Sequence, residues 1–238
     1  MEAMKEFPDK FFDLAVVDPP YGGGATDTSL HGASDGRFGN KGSVFEKYRQ
    51  IKVERRGSGH NHYDNRITEW DVAPGKEYFD ELFRVSKEQI IWGGNYFDLP
   101  PTRCFIVWRK LNIPTEGFSM SPVEYAWTSY NDNAKIVEAF SSSVGKAEKR
   151  FHPTQKPVSL YSWIFKNYAK DGMKILDTHL GSGSSRIAAY DAGLDFWGYE
   201  IDQTYFELQE ERFEKHTTQI NLFLDEGEYQ YDFETIQL

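Results

Sequence analysis

Acidic residues and glycines are grouped near residue 180 in an order that suits ligand binding. Asp177 ends a short apolar run, Gly181 and Gly183 follow it, and Glu200 comes about 20 residues after that run. A glycine-rich turn after a parallel strand lets the backbone approach a ligand, and an acid at the later position can accept hydrogen bonds from both hydroxyls of a ribose. The spacing predicts a nucleoside ligand, but the turn alone is equally typical of a tight strand-to-helix connection.

A second group of residues, Asp18-Pro19-Pro20-Tyr21, ends the apolar run at residues 11–18. Proline cannot continue a β ladder, so a strand that simply stops there is one interpretation. The order of strand, carboxylate, two prolines and an aromatic ring is more unusual than a plain stop. It holds a hydrogen-bond acceptor in a rigid backbone next to a ring that can stack on a flat ligand.

The elements that would position these groups alternate between strands and helices. Short β-branched or aromatic runs predict strands, and 3.6-residue periodicity or a proline at the first helical position predicts helices. Strands are predicted at 11–18, 89–94, 104–109, 124–130, 174–179 and 195–201, and helices at 76–86, 157–169, from the glycine turn through 192, and at 203–216. This order predicts an α/β fold with a mostly parallel, doubly wound sheet in a single domain over residues 1–238. Residues 22–66 form a long polar stretch, and 131–150 show no obvious element.

Size and composition agree with one cytoplasmic domain. The chain has 238 residues, of which 39% are hydrophobic, enough for one α/β core. No window approaches the roughly 18 apolar residues of a membrane span, and the first residues lack the order of a secretory signal. Cys104 is the only cysteine, which excludes a disulfide framework and a thiolate metal cluster and suits a reducing compartment.

The net charge of −10 is unevenly distributed along the chain. Residues 195–238 hold twelve acids against two bases, so this segment alone accounts for −10. Residues 35–66 hold eight bases against four acids, and 146–156 add four bases against one acid. Because phosphates respond to local basic patches, the overall acidity does not exclude a nucleic acid partner. A solvated loop with an ordinary charge mixture explains the same pattern.

Taken together, these motifs resemble the amino-group DNA methyltransferases, whose catalytic motif is (Asp/Asn/Ser)-Pro-Pro-(Tyr/Phe/Trp). The resemblance extends to FHPTQKP at 151–157, LDTHLGSGS at 176–184, GYEID at 198–202 and IIWGGNYF at 90–97. The catalytic motif precedes the cofactor loop, which is similar to the β subgroup and its circularly permuted motif order. The resemblance implies a Rossmann-like, S-adenosylmethionine-dependent methyltransferase fold, with S-adenosylhomocysteine as product and no metal.

The resemblance also implies roles for individual residues. The adenine amino nitrogen is a poor nucleophile, and two acceptors on its N–H bonds would free its lone pair. The Asp18 carboxylate and the Pro19 carbonyl are those acceptors, Pro20 keeps them rigid, and Tyr21 stacks on a base that has been flipped out of the duplex. Trp92 and Tyr96 are further candidates for rings around the base, although a strand tryptophan is as often a core residue.

The cofactor side is assigned in the same way. Asp177 is expected to bind the methionine amino group and Glu200 the ribose, while Gly181 and Gly183 leave room. Candidates for contact with the methionine end are His152, Thr154 and Lys156. For Lys156 the alternative is a solvated charge beside a helix start. His179 stands where relatives have an aromatic residue in Asp-Pro-Phe, and a packing role is the alternative for it.

The start of the chain is shorter than in relatives, which carry a further strand and turn before the segment that resembles 4–13. The sequence therefore predicts that this part of the sheet is truncated, open, or filled by another segment. The aromatic residues at 229–233 are one candidate for that segment.

Double-stranded DNA is the expected partner, and a homodimer is possible in this subgroup. Contacts are expected from insertions around 22–66 and 131–150, with Arg37, Lys41, Arg55 and Arg56 on phosphates or guanine edges. His60 and His62 are interpreted as loop or DNA-contact residues, because their spacing makes no metal site. A role in a restriction-modification system would place the protein in the cytoplasm of a bacterial or phage-infected cell.

Asp at the first motif position favours adenine N6, while N4 of cytosine remains the alternative. Protein glutamine or ribosomal RNA methylation usually shows Asn there, so Asp18 argues against it. A DNA-binding relative with impaired catalysis would fit His179 and the short start. A nicotinamide oxidoreductase is less favoured, because the pattern G-x-G-x-x-G has Arg186 at its last position.

Overall fold

The computed structural model describes residues 1–21, 72–116, 121–141 and 150–225, with side chains up to residue 218. A seven-stranded sheet runs through the molecule. Its strands are β1 (Phe12–Val17), β2 (Ser86–Trp92), β3 (Phe105–Lys110), β4 (Val123–Thr128), β5 (Lys135–Ala139), β6 (Lys174–Asp177) and β7 (Asp195–Gly198). The helices are α1 (Lys76–Val85), α2 (Val158–Tyr168), α3 (Ser184–Asp191) and α4 (Gln203–Asp225), with short 3-10 turns at Glu2–Glu6 and Gly94–Tyr96.

The strand order is β5-β3-β4-β2-β1-β6-β7. Only β4 among these strands runs antiparallel to its neighbours β2 and β3; the remaining pairings, β1 with β2 and β6, β6 with β7, and β3 with β5, are parallel. The predicted mostly parallel, doubly wound sheet is therefore confirmed.

Helices cover both faces of the sheet, because the central strands are apolar on both sides. One face packs α2 and α3 against side chains such as Leu14, Val16, Ile90 and Trp108. The other face packs α1 and the first 3-10 turn against the alternate residues Ala15 and Val17, and against Phe12 at the start of β1. This three-layer arrangement is the usual solution for parallel strands that are buried on both faces.

The segment 131–150 was predicted to have no regular element, and this prediction is wrong. β5 pairs in parallel with β3 over five residue pairs, from Ile106 with Lys135 to Lys110 with Ala139. Of the β5 side chains only Val137 is buried, while Ile136 and Glu138 are exposed. An edge strand with one buried side chain leaves almost no periodic signal in the sequence. Residues 142–149 lie outside the described residues.

The sheet reaches seven strands between residues 12 and 198. The prediction that another segment, such as 229–233, is needed to complete the sheet is therefore wrong for the number of strands, because β5 provides the seventh. At the opposite edge, β7 pairs with β6 alone among the described strands. The aromatic residues at 229–233 lie outside the described residues.

The last helix is longer than the predicted range of 203–216. α4 continues to Asp225, and residues 203–225 contain no glycine or proline that would stop it. Within the described part of the chain, no helix is long and apolar enough to cross a membrane.

Candidate active site

Both predicted groups of functional residues lie at the carboxyl ends of two neighbouring strands in the sheet. β1 and β6 are parallel neighbours with Ala15 opposite Leu176. Asp18 follows the last residue of β1, and Asp177 is the last residue of β6. The negative charge of Asp18 contributes to raising the pKa of Asp177, so the two carboxylates lie close enough to interact electrostatically. The arrangement brings together two motifs that are almost 160 residues apart in the chain.

The Asp18 carboxylate already has a donor at each oxygen. The Tyr21 hydroxyl donates to Oδ1 at 2.9 Å, and the Lys156 ammonium forms an ion pair with Oδ2. Burial raises the pKa of Asp18, while Lys156 and the Tyr21 hydroxyl act to lower it. The carboxylate is thus largely buried, oriented and paired with a cation of the same chain.

The Tyr21 ring is held between a glycine and a second ring. It stacks on Tyr96 with centroids 4.6 Å apart and an interplanar angle of 17°. A Cβ on Gly93 would lie 2.1 Å from the Tyr21 ring, and Gly93 has φ of +65°, so a side chain is excluded there on two grounds. Tyr96 is 57% exposed and can present its ring to a ligand.

Trp92 does not belong to this aromatic pair. Its side chain is fully buried in the core below α2, edge-on to Trp108. The prediction that its ring could line the base pocket is therefore wrong, and the alternative, a core residue, is correct. Its indole Nε1 is the one buried side-chain polar atom without a partner among the described residues.

Asp177 is surrounded by neutral donors. The Ser185 hydroxyl donates to Oδ2 at 2.6 Å and the His179 backbone N–H donates to Oδ1 at 3.0 Å. Burial raises the pKa of Asp177 to about 7, and the charges of Asp18 and Glu200 add to the increase. Among the described residues no ammonium or guanidinium pairs with it, so a positively charged ligand group would find an uncompensated carboxylate.

The turn at 181–183 is shaped by two glycines in left-handed conformations. Gly181 has φ of +52° and Gly183 has φ of +71°. A Cβ on Gly181 would approach the His152 ring to 3.2 Å, and one on Gly183 would approach the Gln209 side chain to 3.0 Å. Side chains there would be strained and crowded, so this turn requires glycine at both positions.

Glu200 closes the same turn from the end of β7. Its carboxylate accepts hydrogen bonds from the Gly181 N–H at 2.7 Å and from the Asp202 N–H at 2.9 Å. Burial raises its pKa, and these backbone donors work in the opposite direction. Each carboxylate oxygen retains a lone pair for a further donor.

His179 packs as a neutral ring. Its Nδ1 lies 3.0 Å from the Thr178 hydroxyl and 3.4 Å from the Tyr78 hydroxyl, and the Tyr78 ring meets it edge-on at 5.4 Å. Burial lowers the pKa of His179 to about 4, so the imidazole is uncharged at neutral pH. It therefore resembles the aromatic residue that it replaces more than an acid or base.

The three residues predicted before α2 are placed differently from one another. His152 is buried with its ring 4.4 Å from that of Tyr205, and burial lowers its pKa to about 3. Thr154 is exposed and its hydroxyl lies 3.2 Å from His152 Nδ1. The Lys156 side chain is only 4% exposed and pairs with Asp18, so the alternative of a solvated charge is wrong. Its backbone carbonyl accepts a hydrogen bond from the Ser184 hydroxyl at 2.7 Å, which ties it to the glycine turn.

Sequence reasoning missed several residues of the site. The sequence predicts Glu124 only as a strand residue and gives Lys110 no role, yet both extend the charge pairing from Lys156. Tyr161 of α2 is buried below the two carboxylates, and burial together with their charges raises its pKa well above the usual value. The strand alternation could have found Glu124, because it shares a face of β4 with the buried Ala126.

The predicted DNA-contact residues Arg37, Lys41, Arg55 and Arg56 lie outside the described residues, as do His60 and His62. In the described part of the chain, no group of three or more His, Cys, Asp or Glu side chains could hold a metal ion.

Residues 91–211, slightly more than half of the chain, match the model of a protein family described as DNA methylase. The putative methylase YubD of Escherichia coli (strain K12) is 32% identical over 232 residues, covering 89% of this chain and 86% of that protein. The chain belongs to the amino-methylating DNA methylase family, which acts at adenine N6 or cytosine N4 of DNA.

Two further proteins are similar over most of the chain. The Type II methyltransferase M2.LlaDCHI of Lactococcus lactis subsp. cremoris is 28% identical over 251 residues, covering 90% of this chain and 87% of that protein. The solved structure of PvuII DNA methyltransferase (cytosine-N4-specific) matches with a TM-score of 0.53 at 12% identity, covering 94% of this chain and 89% of that one. At that identity the structural similarity supports the fold alone.

Proposed function

We propose that this protein transfers a methyl group from S-adenosylmethionine to N6 of an adenine that has been flipped out of double-stranded DNA. The observation that carries the proposal is the parallel pairing of β1 with β6. It brings Asp18 and Asp177 close together at the carboxyl ends of these two strands. A base held by Asp18 and a cofactor held by Asp177 would then be neighbours.

The residues around the glycine turn suit S-adenosylmethionine. The buried Asp177 carboxylate, whose pKa is raised to about 7, is matched to the ammonium of a methionine end. Glu200 lies where an acid can accept hydrogen bonds from ribose hydroxyls, and the left-handed Gly181 and Gly183 shape the turn beside it. When bound, the cofactor supplies a methyl group on a positively charged sulfur.

On the other side of the gap, Asp18 and Pro19 act on the target amino group. The Asp18 carboxylate accepts one N–H bond, in the place now taken by the Tyr21 hydroxyl, and the Pro19 carbonyl accepts the other. Two fixed acceptors draw the nitrogen towards tetrahedral geometry and localise its lone pair. Because the acceptors are rigid before reaction, little reorganisation is required.

Adenine is proposed because of the chemistry at the first motif position. An Asp there resembles the adenine-specific members of the family, and cytosine N4 is the competing target. Tyr21 and Tyr96 supply stacking surfaces for a base in either case. Flipping such a base costs a few kcal/mol in a duplex.

The rest of the proposal concerns DNA. One catalytic domain carries DNA-contact segments around 22–66 and in the part of 131–150 outside β5, with Arg37, Lys41, Arg55 and Arg56 as the contact residues. Alanine substitution of each arginine or lysine should weaken binding of a DNA duplex and reduce its salt dependence.

The deciding experiment measures transfer of labelled methyl from S-adenosylmethionine to DNA, followed by nucleoside analysis of the product. We expect N6-methyladenine with the wild-type protein and none with Asp18→Ala, although the variant still binds the cofactor. N4-methylcytosine would overturn the choice of base. Cofactor binding without transfer by the wild-type protein on any DNA would identify a catalytically impaired relative.

A further inference from the structure

We propose that Glu124, acting through Lys156, is a positioning residue that fixes the Asp18 carboxylate for its target amino group. This inference rests on the proposed function and deepens it. It concerns a line of four alternating charges, Asp18, Lys156, Glu124 and Lys110, which we term the charge line.

The charge line is continuous and mostly buried. Lys156 pairs with Asp18 and also lies 3.2 Å from Glu124 Oε2. Glu124 Oε1 in turn lies 2.6 Å from the Lys110 ammonium. The Lys156 and Lys110 side chains are 4% and 9% exposed, so neither ammonium is simply solvated.

Strand alternation explains why the charge line lies on one face of the sheet. Asp18 follows Leu14 and Val16, while Lys110 follows Ile106 and Trp108, and these four apolar residues belong to the core under α2. Each charged residue therefore continues a buried row at the end of a strand. Glu124 continues the row of Ala126 from the antiparallel strand β4.

Burial makes each of these charges dependent on its neighbours. Removing one partner of a buried pair leaves the other uncompensated, which is strongly destabilising. Burial acts to lower the pKa of Lys156, but Asp18 and Glu124 outweigh it and the pKa is raised. For Glu124, burial acts to raise the pKa, but Lys156 and Lys110 outweigh it and the pKa is lowered.

The geometry gives the two oxygens of Asp18 different tasks. Lys156 occupies Oδ2, which leaves Oδ1 for an exchangeable partner, at present the Tyr21 hydroxyl. Lys156 is itself fixed from three sides, by Asp18, by Glu124 and by the Trp92 ring, whose centroid lies 5.2 Å from its ammonium. Without Glu124 the ammonium would lose one anchor, and the orientation of Asp18 would be less defined.

The acid limb of the pH–rate profile tests this role, because Asp18 must be ionised to accept the amino group. The groups that face Asp18 are Tyr21 of its own loop, Lys156 before α2, Glu124 of β4, Tyr161 of α2 and Asp177 of β6. Lys156 lowers the pKa of Asp18, whereas Glu124 raises it. Loss of Lys156 and loss of Glu124 should therefore move the acid limb in opposite directions.

The experiment measures single-turnover methyl transfer from pH 5 to 9 for the wild-type protein, Lys156→Met and Glu124→Gln. We expect Lys156→Met to move the acid limb up by about one unit or more. We expect Glu124→Gln to move it down while the plateau rate falls by roughly tenfold, because Lys156 is no longer held. Glu124→Asp, which keeps the charge, should return the acid limb towards its wild-type position.

A matched control is Lys87→Met, which removes a lysine of β2 paired with Asp13, near the end of β1 opposite to Asp18. It should leave both limb and plateau unchanged. Lys110→Met should raise the limb by less than Lys156→Met, and this effect should disappear in the Glu124→Gln background. If Glu124→Gln does not fold, Lys110→Met provides the test through its own shift of the acid limb.

The inference is overturned if Glu124→Gln has the wild-type plateau and limb, or if both substitutions shift the limb in the same direction. If the wild-type protein transfers no methyl group, the proposed function fails instead. The Asp18 titration, followed by carboxyl carbon NMR in the free protein, then decides the charge line separately, with the same opposite shifts expected.

Discussion

The site contains two buried carboxylates at the ends of neighbouring strands, and their surroundings differ. Asp18 has an intramolecular cation, since Lys156 pairs with it and is anchored by Glu124. Asp177 has only the Ser185 hydroxyl and the His179 N–H as hydrogen-bond donors among the described residues. One carboxylate is compensated by a cation within the protein, while the other has no cation partner among the described residues.

This difference suggests different tasks for the two carboxylates. Asp18 is oriented and charge-compensated before any ligand binds, whereas Asp177 would be compensated by a bound ligand. Under the proposed function, Asp18 would need a fixed, ionised carboxylate for a neutral amino group, which cannot supply a charge of its own. Asp177 would receive a positive charge from the methionine end of the cofactor. Burial, together with the charges of Asp18 and Glu200, raises the pKa of Asp177 to about 7, because no cation of the described residues offsets them.

The largest expected effect separates the two carboxylates by their kinetics. Asp18→Asn should reduce single-turnover methyl transfer by about 10²–10³-fold, because a charged acceptor paired with Lys156 is replaced by a neutral and weaker one. Cofactor affinity, measured by calorimetry, should change little. A loss of affinity as large as the loss of rate would mean that the two carboxylates do not have separate tasks.

Asp177→Asn should show the complementary pattern. Loss of a charged hydrogen bond to the cofactor should weaken its binding by about 10–100-fold at pH 8. At saturating cofactor the transfer rate should approach that of the wild-type protein. Unchanged affinity in this variant would remove Asp177 from the cofactor site.

The pH dependence of cofactor binding should reflect the raised pKa of Asp177. Below pH 7 the free protein carries a proton on this carboxyl, and a positively charged group can bind only after that proton leaves. Affinity should therefore fall as the pH decreases below about 7, by at most tenfold per pH unit, and level off above it. Asp177→Asn should flatten the curve, whereas a flat curve for the wild-type protein would contradict the assignment.

The smallest expected effect concerns stability. The folded-state pKa of Asp177, about 7, lies above its ordinary value of 3.8, so ionisation weakens folding as the pH rises through this interval. Asp177→Asn should raise the free energy of unfolding at pH 8 by roughly 1–3 kcal/mol and give no gain at pH 4. Denaturant unfolding of the cofactor-free protein at both pH values measures this. An equal change at the two pH values would show that the charge is not responsible.

Much of this architecture was predictable, because its signals are local. Runs such as FDLAVV and KILD are apolar on both faces, as buried parallel strands require, and turn residues follow each of them. The position of Asp18 beside Asp177 also follows from the predicted parallel sheet, since the carboxyl ends of its strands share an edge.

The features that were missed depend on neighbours that are distant in sequence. Lys135–Ala139 forms a strand because β3 offers it a free edge, and its own side chains give little indication. Lys156 is an ion-pair partner of Asp18 across 138 residues. Such pairings are set by register between strands and by the approach of α2, which a single sequence does not encode in any local window.

The stack of Tyr21 on Tyr96 has a consequence for the choice of target. In the free protein the Tyr21 hydroxyl already satisfies Asp18 Oδ1, and its ring is already covered on one side. An incoming adenine would exchange one stacked contact and one hydrogen bond for similar ones, with a modest net gain in the pocket. We therefore expect turnover to depend strongly on how firmly the target base is paired, with faster methylation of an adenine opposite a mismatch than of the same adenine opposite thymine.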